Sequence, residues 1–435
     1  MNIFWISVVV AIIGVYLLIT ALLSKFKLLE KLHMSLMGPF LLLHTQRGKG
    51  FLDKAARHKR FWNVFYPVTL FLCFISMAAM IAMLLLAGYN ALKAPGAIEN
   101  VDPRRLLPLP GINPLLPLGY GLVALIITLV FHEFSHGIVA RHQGITVKSM
   151  GLLFFVIPMG AFVEPDEKEL EVAAPSQRLR VVLAGPGMNI IIGMICLLLL
   201  ALLMQPVTPM FSEGVLVSNV AENAPAALAG MRAGDIIMSI NGIEIVDYSS
   251  FAALMANFAP GDTILVDVLR DNAAKELTLT LGDLGKIYGL SENFGKAGMG
   301  ITSISMGLNA LIDPFKNPFS LRNLIFSIMA PFSGQLPFSQ TILQYYTLPF
   351  NASAFSVCTN TLFWIYWMNI AVGTSNVLPI SILDGYSIFR DSLFELGKKL
   401  KIKKERNEKI ANGVARAFSW FFGTLLIFII LVSLI

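Results

Sequence analysis

Thr128-Leu129-Val130-Phe131-His132-Glu133-Phe134-Ser135-His136-Gly137 closes an apolar run that begins near Leu115. The run has the length and composition of a membrane helix, so it carries two imidazoles and a carboxylate into the bilayer. Residues i and i+4 of a helix lie about 40° apart, which puts His132 and His136 on one face. Two imidazoles on one face can grip a zinc ion. Glu133, one residue on, can reach a water on such an ion as a general base. Ionisable groups at that depth cost about 2–3 kcal/mol each when unpaired, so an ion or a partner group is expected beside them.

The surrounding composition agrees with a membrane setting. Of 435 residues, 56% are hydrophobic and only 14% charged, where a soluble chain carries about 25% charge. The net charge of +6 is no nucleic-acid signal, because the basic residues cluster beside apolar spans and read as topology determinants. Cys73 and Cys196 lie in apolar spans. With Cys358 as the third, neither a disulfide framework nor a cysteine zinc site is indicated.

Charge asymmetry orders the spans. Residues 3–23 read as an uncleaved anchor, since no basic segment precedes them and no small-residue cleavage site follows. Nine Lys/Arg between Ser24 and Arg60 put that loop on the cytoplasmic side and the N-terminus outside, so 1–60 reads as an anchor helix followed by a basic cytoplasmic loop. Within the loop, Leu36–Leu43 is too short to span and is expected to lie along the interface. The second span, Phe61–Gly88, leads into a proline-rich external loop, completing 61–114. Residues 115–206 read as the first part of a membrane core. The His-Glu helix runs inward, Met150–Val163 forms a re-entrant hairpin of two short strands broken by Pro158 and Gly160, and Arg178–Gln205 returns outward carrying Ala184-Gly185-Pro186-Gly187-Met188-Asn189. Past the middle of the chain, residues 354–390 hold a span ending near Asn376 and Ser381-Ile382-Leu383-Asp384-Gly385. Residues 391–435 hold a second basic cluster and a final span. Residues 283–353, rich in proline and aromatic residues, read as external structure on the membrane surface, with Asn351-Ala352-Ser353 a glycosylation sequon by pattern alone.

Residues 212–282 change character. The pattern predicts strands at Gly214–Val220, Asp235–Ile240, Ile243–Ile245, Thr263–Leu269 and Lys275–Leu281, with helices at Pro225–Leu228 and Tyr248–Asn257 and a tight turn at Asn241-Gly242. The stretch Ala224-Pro225-Ala226-Ala227-Leu228-Ala229-Gly230-Met231-Arg232-Ala233-Gly234-Asp235-Ile236-Ile237, with Ile240-Asn241-Gly242, resembles a PDZ domain of the protease-associated type. Such domains take an extended peptide as an added strand. No carboxylate-holding loop stands out in Pro209–Gly214. The chain thus reads as an α-helical polytopic membrane protein of about six transmembrane helices with an inserted α/β PDZ-like domain outside the membrane.

The alternating directions of the spans bring three polar motifs to one depth: His132 and His136, Asn189, and Asn376 with Asp384. A catalytic zinc ion takes three protein ligands and keeps one position open, and Asp384 is the remaining carboxylate at that depth. His142 follows His136 at metzincin spacing. However, Val139 stands where that motif needs Gly, and an unbroken helix points His142 about 120° away.

With these residues assembled, the chain resembles the site-2 protease family of intramembrane zinc metalloproteases, on His132–Gly144, Ala184–Asn189, the PDZ-like domain and Asn376–Gly385. The resemblance implies one Zn2+ held by His132, His136 and Asp384, with Glu133 activating water. It places Asn189 and Asn376 at the substrate backbone or developing oxyanion, and the 150–163 hairpin against an unwound substrate. The implied partners are transmembrane protein substrates, the lipid bilayer and a peptide ligand of the PDZ-like domain, with no nucleic acid. The implied location is a prokaryotic cell membrane, with the site near the cytoplasmic side. A PDZ-bearing scaffold would leave the intramembrane polar residues without a purpose. An ion or metal transporter would use them, but no repeated halves are visible.

Overall fold

The computed structural model describes residues 3–26, 28–46, 48–93, 104, 108–155, 157–210, 213–271, 273–283, 285, 287, 296–304, 308–332, 338 and 340–432. Much of the expected external loop at 90–114 and parts of 283–353 lie outside the described residues. The chain divides into two compact units, Met1–Ile195 with Trp364–Ile435, and Cys196–Phe363.

In the first unit, helices occupy Ile3–Lys25, Lys59–Lys93, Leu118–His142 (the histidine helix), Pro175–Met204 (the glycine helix), Ala352–Ser375 (the asparagine helix), Asp384–Lys399 (the aspartate helix) and Lys404–Val432. The glycine helix extends past Ile195 into the second unit, and the asparagine helix begins in that unit. Among the described residues four helices are long and apolar enough to cross a membrane: Lys59–Lys93, Leu118–His142, Pro175–Met204 and Lys404–Val432. These make the chain a polytopic membrane protein. The asparagine helix forms where the fifth span is expected, but it carries Thr359, Asn360 and Asn369 buried among protein atoms.

The expected hairpin is present. Strands β1 (Met34–Met37), β2 (Phe40–Thr45), β3 (Val147–Phe155) and β4 (Ile157–Pro165) form one antiparallel sheet in the order β1-β2-β3-β4. The segment Leu36–Leu43 is therefore not a separate surface segment. Gly38, at φ 59°, turns it into a second hairpin, and Leu41–Thr45 pairs with Met150–Phe154. A short apolar run reads ambiguously alone; what makes it a strand is the open edge of β3, a hundred residues on.

Strand β4 packs on the histidine helix. A Cβ at Gly137 would stand 2.7 Å from Val163 Cγ1 and 3.2 Å from Leu52 Cδ1, so only glycine allows this approach. Around the contact, Leu52, Trp62, Ile138, Val147, Val163 and Val181 form a buried apolar cluster. At the end of the histidine helix Arg141 donates to Asp53 at 2.6 Å, and this bond holds the Asp53 carboxyl below its ordinary range.

In the second unit, strands Val215–Val220, Ile236–Ile240, Thr263–Arg270 and Ala273–Thr280 form antiparallel pairs around Val215, Val217, Ile237, Ile240, Val266, Val268 and Leu279. Asn241 and Gly242 have φ of 50° and 75°, the geometry of a type I′ turn. Asp247 and Ser250 form a reciprocal capping box on Tyr248–Met255. Ile301–Ile304 pairs with Val215–Val220 as an outer strand, so the sheet draws on residues well past 282. Helices Leu308–Lys316 and Leu321–Met329 follow.

Candidate metal centre

The histidine helix presents His132 and His136 on one face, as its period dictates. Their Nε2 atoms are 3.2 Å apart. Asp384, the first residue of the aspartate helix, places Oδ2 3.2 Å from His132 Nε2 and 3.3 Å from His136 Nε2. One ligand atom from each lies within 4.8 Å of the others, an arrangement that could hold a metal ion. Three lone-pair atoms drawn this close attract a cation, and two nitrogens with one oxygen suit zinc.

Each ligand is oriented from behind. His136 Nδ1 lies 2.8 Å from the Val181 carbonyl, to which it donates, leaving the Nε2 lone pair facing the centre. His132 Nδ1 lies 3.1 Å from the Asn189 amide, which is 0% exposed and has its Oδ1 buried without a partner among the described residues. Asn376 Nδ2 donates to Asp384 Oδ2 at 2.9 Å, while Asn376 Oδ1 accepts from the Asp384 N–H at 3.3 Å. Both asparagines, expected at the substrate, thus touch ligand side chains. Asn376 is half-buried at the centre and Asn189 lies behind a ring.

Gly185 lines the remaining side. A Cβ there would run into His136 Nε2 and come within 2.6 Å of His132 Nε2, so this glycine keeps the cradle open. The donor set and the cradle both fit a zinc ion.

Glu133 is half-buried beside the group. Its Oε2 accepts the Val163 N–H at 3.2 Å. That N–H lies on the side of β4 away from β3, on the edge of the sheet. Strand alternation puts the Ala161 N–H on the same edge. His142 turns elsewhere, its Nδ1 2.9 Å from the Ala56 carbonyl and its ring against Trp62.

The structure thus brings together all six residues singled out from the sequence. It adds the Val181 carbonyl and the Val163 N–H. Both are backbone groups, which no side-chain pattern advertises.

Residues 120–422 match peptidase family M50. A Methanocaldococcus jannaschii protein described as uncharacterized protein MJ0971 is 25% identical over 353 residues, 81% of this chain and 77% of that one. Zinc metalloprotease RasP of Shouchella clausii is 28% identical over 249 residues, covering 54% of this chain and 57% of RasP. Putative zinc metalloprotease CPE1693 of Clostridium perfringens is 26% identical over 298 residues, 62% of this chain and 85% of that protein.

Proposed function

Because the chain belongs to peptidase family M50, the site-2 protease family, we propose that it is an intramembrane zinc-dependent endopeptidase cutting transmembrane segments of membrane-anchored proteins. The observation that carries this reading is the meeting of His132, His136 and Asp384 directly beside the Glu133 carboxylate and the open edge of a strand.

His132, His136 and Asp384 hold the ion. A bound zinc supplies Lewis-acid chemistry at the scissile carbonyl and lowers the pKa of water. Glu133 takes the proton from the attacking water and returns it to the leaving amine. Asn189 fixes the His132 ring. Asn376 fixes the Asp384 carboxylate and, being accessible, is the amide a substrate carbonyl can reach.

A transmembrane helix hides its carbonyls in i to i+4 bonds, so the substrate unwinds before water attacks. Lipid cannot replace the broken bonds. The free edge of β4 can, by strand addition alongside Glu133. The centre sits near the cytoplasmic face, and the PDZ-like module stands outside. There it takes an extended peptide along its outer strand Ile301–Ile304 and screens substrates by the bulk they still carry.

Glu133→Gln tests the reading. Metal content of the purified variant should equal that of the unaltered chain, while cleavage of a single-pass test helix falls by roughly 10²- to 10⁴-fold. Cleavage that survives the change would overturn the assignment. A scaffold would be indifferent to the substitution, and a transporter would answer with altered ion selectivity.

A further inference from the structure

Away from the metal centre, a polar contact joins the glycine helix to the aspartate helix. Seven residues separate Gly185 from Arg178 on the glycine helix, and seven separate Asp384 from Asp391 on the aspartate helix, about 10 Å of helix in each case. Gly185 and Asp384 border the two imidazoles at one end. At the other end Asp391, 1% exposed, accepts from Arg178 Nε and Nη2 at 3.2 Å each and from Arg390 Nε at 2.9 Å. The two helices therefore run antiparallel, bonded directly at the Arg178–Asp391 end and both bordering the imidazoles at the other.

Arg178 reaches a third element. Its Nη1 donates to the Glu171 carbonyl at 3.0 Å and to the Ala173 carbonyl at 3.3 Å. These carbonyls lie at the end of the short helix Glu167–Val172, which follows β4 after the single residue Asp166. One guanidinium thus ties the exit of β4 and the glycine helix to the helix that begins with Asp384. Side-chain packing does not do this alone, because a cavity of about 990 Å3 opens beside the pair, bordered by Leu170, Phe394 and Lys398.

Small errors here matter. A carboxylate roughly 5 Å off the helix axis moves about 2 Å when the helix turns by about 20°, against a ligand tolerance of about 0.2 Å. A buried ion pair contributes little net stability over an apolar replacement, but its geometry is specific. We propose that Arg178 and Asp391 are positioning residues for the metal centre, setting the spacing and rotation of the aspartate helix so that Asp384 meets the imidazoles. The inference rests on the reading that His132, His136 and Asp384 hold the ion.

The test is a cobalt(II) titration of the full chain in detergent, followed by visible absorption, which reports the ligand set independently of catalysis. Arg178→Lys keeps the charge but loses the planar fork that serves Asp391 and two carbonyls at once. Asp391→Asn keeps the shape. Both should bind cobalt about 10- to 100-fold more weakly with an altered spectrum, and turnover should return towards normal at saturating metal. Arg270→Lys, which disturbs a buried pair with Asp235 in the second unit, should behave like the unaltered chain. Normal affinity and spectrum in Arg178→Lys of full helicity would overturn the positioning role, and that variant decides alone if Asp391→Asn does not fold. An unaltered chain that binds no cobalt would instead overturn the metal-centre reading beneath it.

Discussion

The metal centre and the inserted module are built by opposite strategies. The module is a run of near neighbours. Asn241-Gly242 turns one strand into the next, Thr263–Arg270 pairs with Ala273–Thr280, its near neighbour in the chain, and Asp247 caps the helix that begins one residue later. The centre adds to local pairs, His132 with His136 on one helix and Asn376 with Asp384 eight residues on, a closure between residues as far apart as His132 and Asp384. Local chemistry specifies the module. What specifies the centre is that polar groups in an apolar unit must find each other or remain unpaid for their desolvation.

Two substitutions and one excision probe this contrast, beginning with the largest effect. Asp384→Asn removes one of three ligands and the one negative charge among them. Metal content should fall to background and cleavage with it, while thermal unfolding of the module is unchanged; retained metal would show that the long-range partner is not a ligand. Gly185→Ala should act at the same place by crowding. A methyl there meets both imidazoles, with an overpacking cost of about 1–3 kcal/mol. Metal affinity, read by competition with a chelator, should drop by roughly tenfold or more, and an unchanged affinity would mean the cradle is looser than its contacts imply. Excision of residues 212–304, which removes the outer strand with the rest of the sheet, should leave metal content intact and change selectivity alone. Substrates with bulky external domains should then be cut alongside trimmed ones. Loss of metal on excision would erase the distinction between the two regions.

The same contrast explains what could be read from the residues. The strand expected at Gly214–Val220 forms at Val215–Val220, and the helix expected at Tyr248–Asn257 forms at Tyr248–Met255, because their start and stop signals lie within a few residues. Ile301–Ile304 escaped that reading. Its partner strand lies some eighty residues earlier, and the proline-rich, aromatic surroundings suggested surface structure instead. The β1–β2 hairpin escaped for the same reason. At the centre the residue types survived distance, because two imidazoles four apart, a glutamate and a distant carboxylate make a recognisable set. Orientation did not survive it. Nothing in Ala184–Asn189 or Asn376 says that their amides turn to ligand side chains, and Arg178 reads only as the start of a span until Asp391 is seen against it.

The bond between the Val163 N–H and Glu133 has a consequence for an idle chain. A single amide hydrogen cannot be given in full to two acceptors. Under the proposed function, a guest backbone pairing with β4 at Val163 would have to displace the Glu133 carboxylate, so binding of the polypeptide and release of the base would coincide. On that reading the tethered carboxylate would act as a safety catch whose release costs one hydrogen bond.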